Sequence, residues 1–406
     1  MTTADERRRI GALLQSERRR RRWSKPDMAR RLAAHVPDQC PDRETLIFYI
    51  KRWEAEKVSI SERYQFAYAA AFDMDIEQLF DQKAATGPDL DVLRLSHSNG
   101  RPADMEYVES LRETNQALVR LDALHGASDV FPLAARVFRT ADQKIATGAY
   151  VAKVERDLMA AAGETGEIAA WLAYDADDQA VSRQIIREAL ELSRAVGDRD
   201  MELFELGHLA MPSLHQRRPA EALRIANRAL AEKLPARVSA MFEIRKGRAL
   251  AQLGDESSAL ASFAKARSTL SESIGPRDPQ WTWWLDETEL TRHMATAHAQ
   301  LGQWNRTVPL REQVVLACRG EYLYGKLDLA QLLESLIQVR DWTRAEEVIA
   351  DIAGIADAIA PGRTANLLRR LFAQIGRAEG VPSTVSDAAA HLRGLMESTA
   401  SRAAPR

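Results

Sequence analysis

Two short runs concentrate the side chains fit for recognition. In the first, Leu46-Ile47-Phe48-Tyr49-Ile50-Lys51-Arg52-Trp53-Glu54, the residues Leu46, Ile50 and Trp53 stand at i, i+4 and i+7. That is one apolar helical stripe, and the basic pair Lys51 and Arg52 lies beside it. The run before it, Ser24-Lys25-Pro26-Asp27-Met28-Ala29-Arg30-Arg31-Leu32, reads as a capped helix. Ser24 can accept from the free amides of the first turn, Pro26 suits an early helical position, and Asp27 complements the positive helix end. Two short helices behind a basic first helix form a helix-turn-helix, whose second helix is shaped for the DNA major groove. The other run, Asp278-Pro279-Gln280-Trp281-Thr282-Trp283-Trp284, holds three of the chain's eight tryptophans. Trp281 and Trp284 are candidates for an aromatic wall against a peptide or small molecule; the alternative is that the run packs an enlarged gap between helical hairpins.

Other polar clusters carry less. His293 and His298 sit five apart on one helix, about 140° round its axis from each other, so they share no face. Asp175, Asp177 and Asp178 lack the glycine and distant glutamate of a calcium loop and suit a helix start. Glu202, Glu205 and His208, like Asp286, Glu287 and Glu289, read as polar faces of amphipathic helices. No nucleophile–base spacing, phosphate-cradling glycine loop or paired-cysteine motif occurs, so neither enzyme activity nor a cofactor or metal is expected.

The elements around these residues are helical. Across 406 residues, 46% are hydrophobic and 28% charged, and strand-like runs of Val, Ile and Thr are missing. This predicts an all-α chain of two or three domains. Residues 1–57 hold 15 Lys and Arg against 9 Asp and Glu, a balance of +6, while the whole chain carries −2. A basic head on an acidic body suits double-stranded DNA as a partner. The two cysteines, Cys40 and Cys318, imply no disulfide or zinc site. No apolar stretch reaches membrane-spanning length and the amino terminus lacks a signal core, which predicts a cytoplasmic, nucleoid-associated protein.

In the head, the first helix is expected over Asp5–Trp23, with Ile10, Leu13, Leu14 and Trp23 inward and Arg7–Arg9 and Arg18–Arg22 outside. Helices follow over Asp27–Ala34, Arg43–Glu56, Arg63–Phe72 (Phe66, Ala69 and Ala70 inward) and Asp75–Phe80. Ser-Lys-x-Asp-Met-Ala-x-x-Leu, then Ile-x-x-Trp-Glu, then a helix near Asp75-Ile76-Glu77-Gln78-Leu79-Phe80 resembles the Cro/C1-type (XRE family) repressors over about 80 residues. The resemblance implies a five-helix DNA-binding domain over 1–82, with Lys25, Phe48, Tyr49 and Arg52 meeting DNA. Two features depart from the family: a turn about ten residues longer, and Ile47, Phe48 and Tyr49 where polar readers usually stand. Either Arg43, Thr45 and Arg52, beside Lys51, supply the base contacts, or the head serves protein contact.

Residues 83–102 read as a linker, with one helical turn at Leu90–Leu95. An amphipathic helix follows at Ala103–His125, its stripe marked by Tyr107, Val108, Leu111, Leu118, Leu121 and Leu124, free to pack on the body or on a second copy. Within Met241–Ala266, Gly247, the turn Gly254, Ala259, Phe263 and Ala266 match the tetratricopeptide pattern of small, turn Gly, small, aromatic, small. Weaker copies end at Ala189, Ala229, Val314 and Ile352, with Gly302-Gln303-Trp304 and Arg340-Asp341-Trp342 in the later turns. A TPR-like α-solenoid over 103–380 is predicted, its concave groove built from the first helices. A capping helix at Thr364–Arg377 and a tail over 381–406, helical at Val385–Met396 and disordered from Ser401, complete the chain. Head and body together resemble the pheromone-responsive and actinomycete helix-turn-helix regulators. That resemblance implies a homodimeric transcription regulator or repressor with a peptide, protein or small-molecule effector in the groove. The alternative is an interaction adaptor whose head no longer reads DNA.

Overall fold

The computed structural model describes residues 101–270, 278–318 and 322–403. Nearer the amino terminus it describes 23–36, 41–54 and 62–72, together with 10, 11, 14, 15, 17, 18, 20, 21, 60, 74 and 79. The chain is all-α: helices and short 3-10 turns account for the regular structure, and no strand occurs among the described residues. It divides into two compact units, Met1–Leu90 and Asp91–Arg406. The expected helical turn at Leu90–Leu95 and most of the fifth helix, Asp75–Phe80, lie outside the described residues, as does the linker up to residue 100.

The first unit packs α1 (Lys25–His35), α2 (Arg43–Glu54) and α3 (Glu62–Phe72) around Leu14, Met28, Leu32, Leu46, Ile50, Trp53, Tyr68 and Phe72. Ser24 and Asp27 close a reciprocal capping box at the start of α1: Asp27 N–H donates to Ser24 Oγ at 3.2 Å and Ser24 N–H to Asp27 Oδ2 at 3.1 Å. A simple N-cap starts α2, where Asp42 Oδ1 accepts from Thr45 N–H at 2.8 Å.

Two expectations fail here. Arg18 does not wrap the outside. It is buried and donates Nε and Nη2 to the two oxygens of buried Glu54 at 2.5 and 2.7 Å. Bidentate pairing answers the cost of removing both charges from water, and the bond to Glu54 raises the Arg18 pKa. The apolar face of α3 is also rotated: Tyr64, Ala67, Tyr68 and Phe72 are buried, whereas Phe66 and Ala70 are exposed. Tyr64, Tyr68 and Phe72 recur at i, i+4 and i+8, and Trp53 wedges against Tyr64 and Tyr68 at 4.7 and 5.9 Å between ring centroids. That cluster outweighs a single phenylalanine.

The second unit begins with α4 (Met105–His125), capped by Asp104, and α5 (Ala127–Ala146). Val108, Leu111 and Leu118 of α4 are buried against the body. Five hairpins follow: α6 (Glu155–Asp175) with α7 (Gln179–Val196), α8 (Arg199–His215) with α9 (Pro219–Leu230), α10 (Ala236–Gln252) with α11 (Glu256–Leu270), α12 (Glu287–Gln300) with α13 (Trp304–Ala317), and α14 (Tyr322–Val339) with α15 (Trp342–Gly354). The last pair is α16 (Arg363–Ile375) and α17 (Ser383–Ala403). Helix α17 runs past the expected end at Met396 and includes Ser401, Arg402 and Ala403; residues 404–406 lie outside the described residues.

Each of the five hairpins turns on one residue at positive φ: Asp177, Arg217, Gly254, Gly302 and Arg340. The amide of the next residue donates to the carbonyl five positions earlier, at 2.8 to 3.0 Å, which closes the helix end in Schellman fashion. Twelve residues after each turn comes a fully packed position: Ala189, Ala229, Ala266, Val314 and Ile352, all 2% exposed or less. Glycines on the first helices let neighbours approach. A Cβ on Gly247 would lie 2.9 Å from the Phe263 ring, and one on Gly166 2.8 Å from Ala189 Cβ.

The ends of this unit meet. Arg363 pairs with Asp175, and its guanidinium lies 4.2 Å from the Tyr174 ring centroid. Asn366 donates to Asp177 at 2.7 Å, and Ser128 donates to the Pro361 carbonyl at 2.6 Å. Helix α16 therefore does more than end the chain of hairpins: it clasps the first of them.

Two consequences are measurable. Glu54→Ala strands Arg18 as a buried, unpaired cation, and should cost the first unit about 3 kcal/mol in urea unfolding followed by ellipticity; a loss under about 1 kcal/mol would contradict the buried pair. Gly362→Ala places a Cβ 2.5 Å from the Asp175 carbonyl, whereas Gly380→Ala, also at positive φ, meets nothing within 4 Å. The first should lower the melting temperature by several degrees more than the second, and equal losses would refute a tight clasp.

Candidate nucleic-acid interface and repeat interior

On α2 the stripe Leu46, Ile50, Trp53 and Glu54 turns inward, which leaves Arg43, Phe48, Lys51 and Arg52 in solvent. Phe48 is 52% exposed, unusual for an aromatic side chain, and the Arg52 guanidinium lies 5.4 Å from its ring centroid. Lys51, Phe48 and Arg52 share one outward face with the exposed carboxylate Glu44, whereas Arg43, nine residues before Arg52, is exposed about 180° from it round the axis.

The remaining candidates sit differently. Lys25 is half-buried, its ammonium 3.6 Å from Glu54 Oε2, so it joins the Arg18 pair. Tyr49 is also half-buried, its ring within 5.6 Å of Trp53 and 6.2 Å of Tyr64, which makes it part of the aromatic core. Thr45 Oγ1 donates to Asp42 at 3.1 Å and supports the helix start. The structure thus groups three of the seven expected contact residues, Phe48, Lys51 and Arg52, on one open face, leaves Arg43 exposed on another side, and places the other three at the base of the helix. The Asp42-x-x-Thr45 cap was the local signal that marks Thr45 as structural.

In the second unit, Trp281 and Trp284 belong to a 3-10 turn, Gln280–Trp284. Buried Arg237 ties it down, donating its backbone N–H to Asp278 at 3.0 Å and its side chain to the carbonyls of Thr282, at 3.2 Å, and Leu285. Trp281 stacks on Phe204 at 4.6 Å; Phe204 contacts His208 at 4.4 Å, and His208 stacks on Trp171 at 5.4 Å. Trp284 is partly buried against the core of α8 to α12 and takes no part in that row. The side chain of Trp283 lies outside the described residues.

The first helices carry a polar stripe at i, i+3 and i+4 that periodicity alone assigns to solvent. Much of it is buried. Arg292 makes a bidentate pair with Asp328 at 2.8 and 2.9 Å and also binds Glu289; burial opposes its charge, but these carboxylates outweigh it and raise its pKa. His293 lies between Glu289 Oε1 and Arg245 Nη1, each 2.9 Å from Nε2, and Arg248 Nη1, 2.9 Å from Nδ1. Burial pushes its pKa down to about 4, so the imidazole is neutral near pH 7. His298 instead meets Gln303 at 2.7 Å. Asp177 forms the hairpin turn, Asp178 caps α7 by accepting from Val181 N–H at 3.1 Å, and Asp175 joins the clasp. Glu205 is fully buried, with Ser193 Oγ donating to it at 2.8 Å and Glu167 nearby; burial drives its pKa up to about 9. Among the described residues no three His, Cys, Asp and Glu side chains converge as a metal site, and no helix is long and apolar enough to cross a membrane.

No model of a known protein family and no curated protein matches the chain.

The Glu205 carboxyl has a testable signature. Its folded pKa lies above the ordinary carboxyl value, so folding retains a proton that the unfolded chain releases from about pH 4.5 upward. Its contribution to stability is present below that pH and is lost progressively as pH rises toward 9. Glu205→Gln should therefore raise the melting temperature at pH 8 by a few degrees and leave pH 4.5 almost unchanged. An equal effect at both pH values would exclude a neutral buried carboxyl.

Proposed function

We propose that the chain is a DNA-binding transcription regulator. Its first unit acts as a Cro/C1-type helix-turn-helix, and its second as a tetratricopeptide-type repeat that mediates dimerisation and receives an effector. The observation that carries the reading is the outward face of α2. A helix anchored on one side by Leu46, Ile50, Trp53 and the Arg18–Glu54 pair presents Phe48, Lys51 and Arg52 to solvent on the other. Cations on a rigid helix suit phosphate and guanine contacts, and Phe48 suits a thymine methyl. Lys25 and Tyr49, both half-buried, support this helix from beneath. The repeat supports the regulatory half: five hairpins with the same turn geometry surround a polar interior, the arrangement that a ligand-sensing superhelix needs.

Phe48 also favours a second reading, in which an exposed aromatic side chain on α2 anchors a protein partner and the head is an adaptor module. The two readings part on DNA. Immunoprecipitation of the tagged protein, followed by sequencing, should recover discrete genomic fragments. On such a fragment Lys51→Ala/Arg52→Ala should weaken binding at least about tenfold and reduce the slope of log K against log salt by about 1 per lost phosphate contact. Unchanged retardation by the double variant would remove α2 from the interface, and no retention at low ionic strength would favour the adaptor.

A further inference from the structure

The interior of the repeat treats its cations unequally. Arg292 has two carboxylates, as described above. Arg245, 2% exposed, has none within ion-pair reach among the described residues. Its Nε donates to the Gly207 carbonyl at 3.2 Å, Nη2 reaches the Met211 sulfur at 3.2 Å, and Nη1 faces His293 Nε2. That last contact is frustrated. His293 is neutral and has one N–H. If Nε2 carries it to serve Glu289, Nδ1 accepts from Arg248, and the Arg245 Nη1–H points at another N–H. If Nδ1 carries it, Arg248 meets the same conflict and Glu289 loses its donor. Either tautomer leaves one guanidinium hydrogen without an acceptor.

Arg248 is little better supplied: besides His293, its acceptor among the described residues is Gln300 Oε1 at 3.5 Å. Burial pushes its pKa down to about 10, with Arg245 adding to the effect and the Glu289 carboxylate, which does not pair with it, acting against it. Arg311 reinforces the imbalance. It stands three residues before Val314, the position that Ile186, Ala226, Phe263 and Ile349 fill in the other hairpins, all buried. Here a guanidinium takes that place, bonded to the neutral Thr296 hydroxyl at 2.7 Å and the Gln331 amide oxygen; burial lowers its pKa to about 10, with Asp328 and Glu334 favouring its charge and Arg248 and Arg292 opposing it. Buried cations without counter-ions are strongly unfavourable, and replacing them by apolar groups is ordinarily stabilising. Arg248, Gln252 and Gln300 are half-buried, so the cluster can be reached from solvent.

We propose that Arg245 and Arg248 bind an oxyanion, the carboxylate or phosphate of a small molecule, with Arg311 adding positive potential behind them. The guanidinium forks give bidentate contacts to either group. An oxyanion also supplies the acceptor that the His293 edge lacks. The inference deepens the effector reading above, and it is measured without DNA, so its failure is separate from failure of the DNA assignment.

The test is thermal unfolding of the full chain in chloride buffer, with inorganic phosphate or succinate added at constant ionic strength. At least one should raise the melting temperature by about 3 °C or more. Arg248→Met should abolish the shift, with Arg248→Gln as the substitute if the methionine variant does not fold. In chloride alone, Arg245→Met should be as stable as the parent chain or more so, since it removes an uncompensated buried charge. No shift with either anion, an equal shift in the Arg248 variant, or strong destabilisation by Arg245→Met in chloride would each overturn the proposal.

Discussion

A helix that ends on a left-handed residue reverses its chain in a fixed geometry, and the second unit uses that reversal five times. From each turn the following helix reaches its tightest packing position twelve residues on, whether the turn residue is Gly254 and Gly302 or the costlier Asp177, Arg217 and Arg340. A β-carbon at positive φ costs about 1 kcal/mol, and the stacked helices repay it through contacts that only this angle allows. Alanine or glycine at the helix crossings then brings backbones close, which leaves little apolar volume. The interior is completed instead by long polar side chains that reach across it.

Those polar side chains divide into two kinds of environment. Around Arg292, carboxylates on two helices satisfy the guanidinium fully, and the network ties α12 to α14. Around Arg245 and Arg248, the acceptors within hydrogen-bond reach among the described residues are neutral and few. The first arrangement makes structure, and the second stores unmet bonding capacity. The same contrast holds in the first unit, where the Arg18–Glu54 pair is complete and frees the outer side of α2 for solvent.

Much of this was legible in the residues. Ser24 with Asp27, the stripe Leu46, Ile50 and Trp53, and the series Gly247, Gly254, Ala259, Phe263 and Ala266 state local geometry directly, because caps, turns and helical faces depend on neighbours within a few positions. What could not be read depends on partners far away. Nothing in a run of arginines says that Arg18 turns inward to a glutamate 36 residues later. In α3, four aromatic side chains offered more than one apolar face, and packing against Trp53 chose the face without Phe66. At the candidate interface, Lys51 and Arg52 were visible as a pair, while the inward placement of Tyr49 required knowing where Tyr64 lies.

The clasp has a consequence for how the molecule comes to be folded. An open stack of hairpins is held by nearest neighbours, so it can fray from either end and assemble while its chain is still being made. Here Asp175 and Asp177 wait for Arg363 and Asn366, 188 and 189 residues downstream. The early hairpins can form on the ribosome, but these contacts cannot form until the last pair has emerged. Closure then links the two fraying ends, so that loosening either one requires breaking the other, and a set of separable repeats behaves as one cooperative body.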